Sequence, residues 1–400
     1  MSGGRADLKP LIQWTEHGDP DLVPVVMASG QSTAASYFGV PVRTEGKSAS
    51  FTEVPESPVT PEMVLRCSRE TGIHVAPGLG YSTALVAIEF MDDVEMIVRE
   101  EPCSEGLRRF TTIRTPKGEL SDVFITPVGK PACWEEHLVS TAEDLPAFEY
   151  LIEEAARASA EDDRVREKVT ASFRAQAEKW PAEVALSAIM AVPTFALTCN
   201  LYMDTTAAFY LMADHAPLLD RLFEAEERRN AVVIACAAEA GADYIRGAIN
   251  GLELYSPTIY ERYFIPQART MHEQAHALGL RAWVHTCGHM HRLIQAGTYE
   301  AMDVDVLESL SHPPLGDVDE LGEDRARLGT SIATRGGVNV SLFYEPDLDG
   351  VRARTREVAE QTRGYRHMIG DTNDSFPPYP RENILAAVDE LDKMGVLLRA

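Results

Sequence analysis

Two residue types that bind metals stand two positions apart at the end of one apolar run. His285 and Cys287 follow Trp283 and Val284, and Gly288 comes next. Side chains at i and i+2 of an extended segment point to the same side, so an imidazole and a thiolate at this spacing can bind one soft or borderline metal ion. The same pattern also fits a core histidine beside a small buried thiol, which is the commoner arrangement. Both interpretations stay open here.

Carboxylate and amide side chains follow other short apolar runs in the same manner. Asp371 comes directly after Gly370, and Asn373 and Asp374 follow within three residues. Asx turns and capping of the next helix are the competing explanation for these positions. If the runs are strands of one sheet, their ends form one rim that carries Asp92, Asn250, Glu253, His289, Glu308, Asp371 and Asn373 beside the His285–Cys287 pair.

The elements that must position this rim alternate between short β-branched runs and longer helical patterns. The candidate strands are 184–190, 242–246, 281–285, 304–307, 329–332 and 367–369. Helices are predicted over 206–239, with a break near Pro217, and over 257–278, with Ser256 as the N-cap. Such alternation predicts parallel strands with right-handed crossovers. No glycine-rich phosphate loop follows any run, which favours a closed barrel over an open sheet.

The predicted fold class is therefore α/β, a single (β/α)8 barrel with an N-terminal elaboration. We expect the elaboration over residues 1–80 and the catalytic barrel over residues 81–400. A hairpin is predicted within 110–130, around the turn at Pro116-Lys-Gly118, and one or two surface helices within 144–179. In such barrels active sites lie at the C-terminal ends of the strands, which is where the rim residues fall.

Composition narrows the class of protein. The chain has 400 residues and a formal net charge of −25, which argues against nucleic acid or an anionic membrane as a partner. No apolar run is long enough to span a membrane, and the N-terminus has no apolar signal segment. The six cysteines form no CxxC pair, as expected for free thiols in a reducing cytoplasm. We expect a cytoplasmic enzyme.

An ordered series of short motifs resembles the uroporphyrinogen decarboxylase superfamily, and within it most closely the zinc-dependent, cobalamin-linked methyltransferases. The series extends over residues 20–384. Its members are Pro20-Asp-Leu-Val-Pro-Val25, Thr115-Pro-Lys-Gly-Glu119, Ser256-Pro-x-x-Tyr260, His285-x-Cys287-Gly288 and Pro380-Arg-Glu-Asn-Ile384. The resemblance implies a (β/α)8 barrel and a zinc ion that activates a thiol toward a methylated corrinoid.

The chain departs from that branch at the third zinc ligand. The family has a cysteine after a glycine on a late strand, but no cysteine follows Cys287 here, and Asp371 occupies the corresponding slot after Gly370. Aspartate carries the same formal charge as a thiolate and is an accepted zinc ligand. The resemblance thus implies His285, Cys287 and Asp371 as metal ligands, and a harder, more Lewis-acidic ion than two thiolates would give.

The decarboxylase branch of the superfamily offers a different comparison. Asp92 resembles the aspartate with which that branch stabilises the pyrroles of its substrate. The segment in which its substrate-binding arginines should lie contains no basic residue between Val23 and Val42. A porphyrinogen polyanion would find no charge partners there, so decarboxylation of uroporphyrinogen itself is not expected.

The expected function is transfer of a methyl group between a small methylated substrate or thiol acceptor and cobalamin held by a separate corrinoid protein. Glu253 and Asp92 are the candidate catalytic residues, and Asn250, His289, Glu308 and Asn373 are the candidate substrate-binding residues. A metal-dependent decarboxylase or lyase of a small acid is the alternative, and a non-catalytic paralogue is a third possibility. The resemblance also makes a homodimer plausible.

Overall fold

The computed structural model describes residues 9–40, 59–81, 83–127, 133–189, 193–372 and 379–400. Within these ranges the strands are β1 (Val23–Pro24), β2 (Gly78–Tyr81), β3 (Glu95–Pro102), β4 (Gly106–Thr115), β5 (Gly118–Pro127), β6 (Cys133–Glu136), β7 (Ser187–Ile189), β8 (Tyr244–Asn250), β9 (Arg281–Cys287), β10 (Val306–Ser309), β11 (Ala333–Val338), β12 (His367–Asp371) and β13 (Leu397–Leu398).

Helices separate most of the later strands. In chain order they are α1 (Pro10–His17), α2 (Gly30–Phe38), α3 (Pro61–Thr71), α4 (Leu145–Glu161), α5 (Asp163–Ala177), α6 (Thr194–Leu197), α7 (Thr205–Glu239), α8 (Pro257–Ile259), α9 (Ile265–Ala277), α10 (His291–Gln295), α11 (Thr298–Ala301), α12 (Leu321–Leu328), α13 (Val340–Tyr344), α14 (Leu348–Gln361) and α15 (Arg381–Met394). Short 3-10 turns at Ala84–Phe90 and Ala142–Asp144 and π turns at Thr198–Tyr202 and Tyr260–Phe264 complete the set.

A parallel sheet forms the centre of the molecule, in the order β12-β11-β10-β9-β8-β7-β2. Its two edges are joined by the segment that begins with β1. The amide of Val26 donates to the carbonyl of Ile369 in β12, and the amide of His74, just before β2, donates to the carbonyl of Val25, both over 2.8 Å. These two bonds close an eight-stranded ring, so the predicted (β/α)8 barrel is confirmed.

Most of the predicted helices and strands are observed at or near the predicted residues. Helix α7 changes direction at His215, whose backbone is non-helical, just before Pro217. The side chain of Ser256 caps the helical stretch that starts at Pro257. The strand predicted over 329–332 is wrong by a few residues, because β11 starts at Ala333. Gly329 instead ends α12 with a positive φ, a conformation typical of a turn.

The region before residue 80 supplies part of the ring. The bonds of Val25 and Val26 lie on the N-terminal side of the predicted division. Four strands form a separate antiparallel sheet in the order β3-β4-β5-β6, so the predicted hairpin is its middle pair, β4 and β5. This sheet is inserted after β2 and packs on α4. The boundary at residue 80 as a division between domains stays a prediction.

The N-terminal end of the barrel is filled by apolar side chains. A buried cluster combines Trp283, Val306 and Met368 of three ring strands with Leu11 and Trp14 of α1. Helix α1 is held there at both ends, by Lys9 with Asp243 (2.7 Å) and by Glu16 with Arg281. Helix α1 therefore covers this end of the barrel, and we call the opposite end, where the strands finish, the mouth.

In the part of the chain that the structure describes, no helix is both long and apolar enough to cross a membrane.

Candidate functional site

Strand register places a row of side chains across the barrel interior, above the apolar floor. Ala248 of β8 pairs with His285 of β9, His285 with Glu308 of β10, and Glu308 with Arg335 of β11. His285 lies two residues beyond Trp283, and side chains at i and i+2 of a strand share a face. Toward the mouth, the side chains that line the barrel interior thus change from apolar to ionisable within two residues along β9, β10 and β11.

His285 and Cys287 meet at the end of β9, as their spacing predicts. The Nε2 atom of His285 lies 3.0 Å from the Sγ atom of Cys287. The histidine is buried, whereas the cysteine, one layer nearer the mouth, is half-buried. The pair therefore presents a nitrogen and a sulfur donor to the open end of the barrel.

The other ring nitrogen of His285 is held from behind. Its Nδ1 atom lies 3.1 Å from the hydroxyl oxygen of Ser309 and 3.4 Å from Oε2 of Glu308. Burial would lower the pKa of His285, but the negative charge of Cys287, the hydrogen bond with its sulfur and the contact with Glu308 together raise it to about 9. The raised pKa favours the imidazolium, in which both ring nitrogens carry a proton, one directed at Cys287 and the other at Ser309 and Glu308.

Glu308 is the centre of a buried ionic network. Its Oε2 atom accepts from Nε (3.0 Å) and Nη2 (2.7 Å) of Arg246 and from Nη2 of Arg335 (3.1 Å). Burial by itself would raise the pKa of Glu308, but the two guanidinium groups lower it well below its usual range. Glu308 is therefore ionised and fixed behind His285. Its assignment to substrate binding stays a prediction, and its observed contacts are with protein side chains.

Asp371 lies at the end of β12 and is fully buried. Its Oδ1 atom accepts from the amide of Ala28 (2.6 Å) and from Nη1 of Arg335 (3.3 Å). Gly370 leaves room for this contact, because a Cβ atom there would stand 2.1 Å from the carbonyl oxygen of Val26 and 3.0 Å from Nη1 of Arg335. The structure thus joins Asp371 to the ionic network through Arg335.

The fit of these side chains to a metal can be judged from the donors present. His285 and Cys287 fit, since a nitrogen and a sulfur face the same space and the far side of the imidazole is oriented by a carboxylate. Within the described ranges, no three His, Cys, Asp or Glu side chains are grouped so as to hold a metal ion. The pair supplies two donors, and the role of Asp371 as the third stays a prediction.

Glu253 and His289 form a loop contact at the mouth. The carboxylate of Glu253 accepts from the amide of Gly251 (3.2 Å) and from the amide of His289 (2.7 Å). Gly288 has a φ of +84°, and a Cβ atom there would lie 2.0 Å from Oε1 of Glu253. Glu253 thereby shapes the turn that follows Cys287, and both Glu253 and His289 are exposed at the mouth.

Asn250 lies beside the His285–Cys287 pair. It is the register partner of Cys287 on the neighbouring strand, and its side chain is half-buried. The Tyr260 hydroxyl donates to the carbonyl oxygen of Asn250, which holds the end of β8 against the following helical turn. Asn250 is thus placed next to Cys287, and its role in substrate binding stays a prediction.

Asp92 lies in another part of the molecule. It is exposed after the 3-10 turn at Ala84–Phe90, lines a surface groove with Arg114 and Thr115, and interacts electrostatically with Arg164 of α5. These neighbours belong to the inserted sheet and the outer helices rather than to the interior row. Asn373 lies outside the described residues.

Sequence reasoning missed the two arginines that organise the interior. Arg246 and Arg335 both occur within predicted or observed strands, at positions whose register partners face the barrel axis. A charged residue in the inward phase of a buried strand requires a partner of opposite charge, and this was the signal that could have found them.

The similarity of the whole chain to solved structures agrees with this architecture. A methyltransferase from Methanosarcina mazei superposes with a TM-score of 0.60 at 16% identity, covering 96% of this chain and 98% of that one. A B12-independent methionine synthase from Shewanella sp. W3-18-1 superposes with a TM-score of 0.45 at 12% identity, covering 94% and 99%. The first likeness shows a shared fold. No curated protein matches the chain in sequence.

A family model identifies the lineage. The model described as Uroporphyrinogen decarboxylase (URO-D) matches residues 139–394, from the end of the inserted sheet to the last helix. This range is more than half of the chain and includes the interior row and the His285–Cys287 pair. The chain therefore belongs to the uroporphyrinogen decarboxylase family.

Proposed function

We propose that this protein is an enzyme that transfers a methyl group between a small substrate and cobalamin carried by a separate corrinoid protein, with zinc bound at the mouth. The observation that carries the proposal is the 3.0 Å approach of His285 Nε2 to Cys287 Sγ at the open end of the barrel. His285 and Cys287 would hold the zinc ion, and Asp371 is the proposed third ligand. Bound zinc would supply Lewis acidity and lower the pKa of a coordinated thiol.

The protein's own contribution is to orient and protect the reacting groups. Glu308 and Ser309 fix the imidazole of His285 from its Nδ1 side, so that its other nitrogen faces the mouth. Arg246 and Arg335 keep Glu308 ionised and prevent it from rotating away. A donor set held in one orientation loses little entropy when a ligand binds.

Substrate would be positioned by the residues nearest to Cys287. Asn250 lies across from Cys287 and can offer amide hydrogen bonds, and the exposed Ala248, one layer deeper, leaves space against His285. At the rim, Glu253 in the loop after β8 accepts from the amide of His289 in the loop after β9. This arrangement suits a small substrate in the barrel, with a larger methyl carrier approaching from outside.

The alternative reaction is that of a decarboxylase or lyase of a small acid. Such an enzyme requires a positively charged side chain that binds the carboxylate of the substrate. The two arginines of the interior row already bind carboxylates of the protein, Arg246 that of Glu308 and Arg335 those of Glu308 and Asp371. An incoming carboxylate would have to displace one of these partners. The network therefore favours methyl transfer over acid binding.

The proposal is tested by zinc content and by the spectrum of cobalamin. We expect close to one zinc per chain in protein purified without chelator, and loss of zinc in His285→Ala. A Cys236→Ala variant is the matched control, because Cys236 is a buried thiol of α7 on the outer helical layer. We also expect methyl transfer to change the spectrum of added cob(I)alamin or methylcobalamin. Retention of zinc by His285→Ala, or unchanged cobalamin spectra, would contradict the proposal.

Direction of transfer depends on Asp371. A His, Cys and Asp set is harder than one with two thiolates and suits polarisation of a leaving oxygen or nitrogen, so we propose the demethylating half-reaction. The Asp371→Cys variant should keep zinc and demethylate more slowly. Unchanged turnover with full zinc occupancy would show that Asp371 is not a ligand and remove the argument for direction.

A further inference from the structure

A buried arginine outside the barrel wall lacks a counter-ion among the described residues. Arg325 of α12 is fully buried. Its Nη2 atom donates to the carbonyl oxygens of Gly329 (2.6 Å) and Ile332 (2.5 Å), and its guanidinium faces the ring of Tyr365 at 5.1 Å. In the part of the chain that the structure describes, its Nε and Nη1 groups have no acceptor and no carboxylate lies within 4.0 Å. Three N–H bonds of a charged group are therefore left without a partner.

The nearest carboxylate in the sequence does not serve this arginine. Asp324 precedes Arg325 and is also fully buried, but its Oδ1 atom accepts from Nε2 of Gln295 (2.8 Å), and both its oxygens lie near Nδ1 of His291 (2.9 and 3.0 Å). On the other side Arg366 adds a second positive charge near Arg325. The surroundings of Arg325 are thus positive, although a buried charge is stable only when it is paired.

A second polar group faces the same region. His367 is the register partner of Thr334, and both lie on the outer face of the ring, since their neighbours Arg335 and Met368 lie in the interior. The Nδ1 atom of His367 lies 2.8 Å from the Thr334 hydroxyl, whereas its Nε2 atom is buried without a partner among the described residues. The backbone of Gly336 also hydrogen-bonds to this imidazole, so His367 is held by two residues of β11.

The electrostatics of both groups agree with this geometry. Burial and then the charge of Arg325 lower the pKa of His367 to about 3, so the imidazole is neutral. Burial and the charge of Arg366 lower the pKa of Arg325 to about 10. Arg325 therefore brings one net positive charge into the layer between the barrel wall and its helices.

We propose that a small monovalent anion, chloride in the cell, binds beside Arg325 between α12 and the outer face of β11 and β12. The Nε and Nη1 groups of Arg325 supply the donors. One negative charge neutralises Arg325 and satisfies the N–H groups that the described protein atoms leave unpaired. Tyr365 and Arg366, which lie near Arg325, are both partly exposed. This site is separate from the mouth and would bind its ion whatever the reaction of the enzyme.

The direct test is to crystallise the wild-type protein in sodium bromide and collect data at the bromine absorption edge. An anomalous peak within about 3.5 Å of the Arg325 guanidinium supports the site. Density at that position without anomalous signal would mean that water satisfies the arginine, and would overturn the proposal. This experiment does not depend on any variant folding.

The solution test compares thermal unfolding in sodium chloride and in sodium gluconate at equal ionic strength. A ligand that binds only the folded state raises its stability, and we expect chloride to raise Tm by about 2 °C. The effect should disappear in Arg325→Met and persist in Arg327→Met, whose arginine is on the same helix but partly exposed and paired with Glu300. Equal melting in both salts, or the same chloride effect in Arg325→Met, would overturn the proposal.

Discussion

The guanidinium of Arg335 donates a hydrogen bond to the carbonyl oxygen of Val26, 3.1 Å away across the seam where the first and last strands of the ring meet. The same Nη1 atom donates to the carbonyl oxygen and to Oδ1 of Asp371, while Nη2 donates to Glu308. One side chain therefore links β10, β11 and β12 with the segment that closes the barrel. The arginine thus adds side-chain bonds to the backbone bond from Val26 to Ile369 that joins this segment to β12.

Replacing Arg335 by Met should weaken the whole fold. Removing one member of a buried ionic network leaves its carboxylate partners unpaired, and we expect a loss of about 3–5 kcal/mol in the free energy of unfolding. Urea unfolding followed by circular dichroism measures the change. The control is Arg327→Met, because Arg327 forms an ion pair with Glu300 at the surface. Its loss should lower the free energy of unfolding by about 1 kcal/mol or less. Equal losses in the two variants would show that Arg335 does not hold the seam.

Replacing Glu308 by Gln should weaken zinc binding without removing a ligand. The amide keeps the shape of the side chain but removes the charge that orients His285 from its Nδ1 side. Changes of this kind in the partner of a metal-bound histidine reduce affinity by about 10- to 100-fold. Competition with a chromogenic chelator gives the dissociation constant. An unaltered constant would mean that Glu308 serves only to neutralise Arg246 and Arg335.

A glycine-to-alanine change at position 288 should disturb the turn after Cys287. The backbone there has φ of +84°, and the new Cβ atom would collide with the carboxylate of Glu253. We expect a loss of about 1–3 kcal/mol in stability, together with weaker zinc binding because the donor pair is displaced. Gly279→Ala is a useful comparison, since that glycine has φ of +79° and open space around its Cα. Zinc affinity should fall only in Gly288→Ala.

The protein should become less stable as pH rises through the titration of His276. Its Nε2 atom lies 2.7 Å from Asp305 and its Nδ1 atom 3.0 Å from Asp303. The hydrogen bond with Asp305 raises the pKa of His276 against the opposing effect of burial, and both aspartate charges raise it further. A pKa raised by folding stabilises the protein fully below the unfolded value of about 6.5, and this stabilisation is lost as pH rises through the folded pKa.

His276→Gln isolates that contribution from the other histidines. The difference in unfolding free energy between wild type and variant should be larger at pH 6 than at pH 8, measured by chemical denaturation in matched buffers. A difference that does not vary with pH would show that His276 is neutral throughout this range.

Porphyrin polycarboxylates should not bind at the mouth. The segment from Val23 to Val42 contains no Arg or Lys, and the two interior arginines are bound to carboxylates of the protein. Titration followed by fluorescence quenching should show no saturation at micromolar concentration. Tight, stoichiometric binding would restore the decarboxylase interpretation despite the paired arginines.

The sequence predicted the barrel and the His285–Cys287 pair because both depend on local patterns. Strand and helix alternation shows in the chain itself, and so does an HxC spacing at the end of an apolar run. The ionic network could not be predicted from the sequence, because Arg335 and Val26 are 309 residues apart and only the closed ring brings them together. Glu253 was placed at the rim correctly, but its bonds to backbone amides depend on the turn at Gly288, which no periodicity reveals.

If the protein transfers a methyl group as proposed, helix α1 has a consequence for the order in which the reactants bind. Leu11, Ile12 and Trp14 cover the N-terminal end of the barrel, so both reactants reach Cys287 from the mouth. A small molecule that sits below the rim is enclosed once a bulky carrier docks above it. We therefore expect compulsory-order kinetics, in which the small reactant binds first. An excess of the carrier should inhibit, because a carrier bound at the mouth of the free enzyme blocks entry of the small reactant.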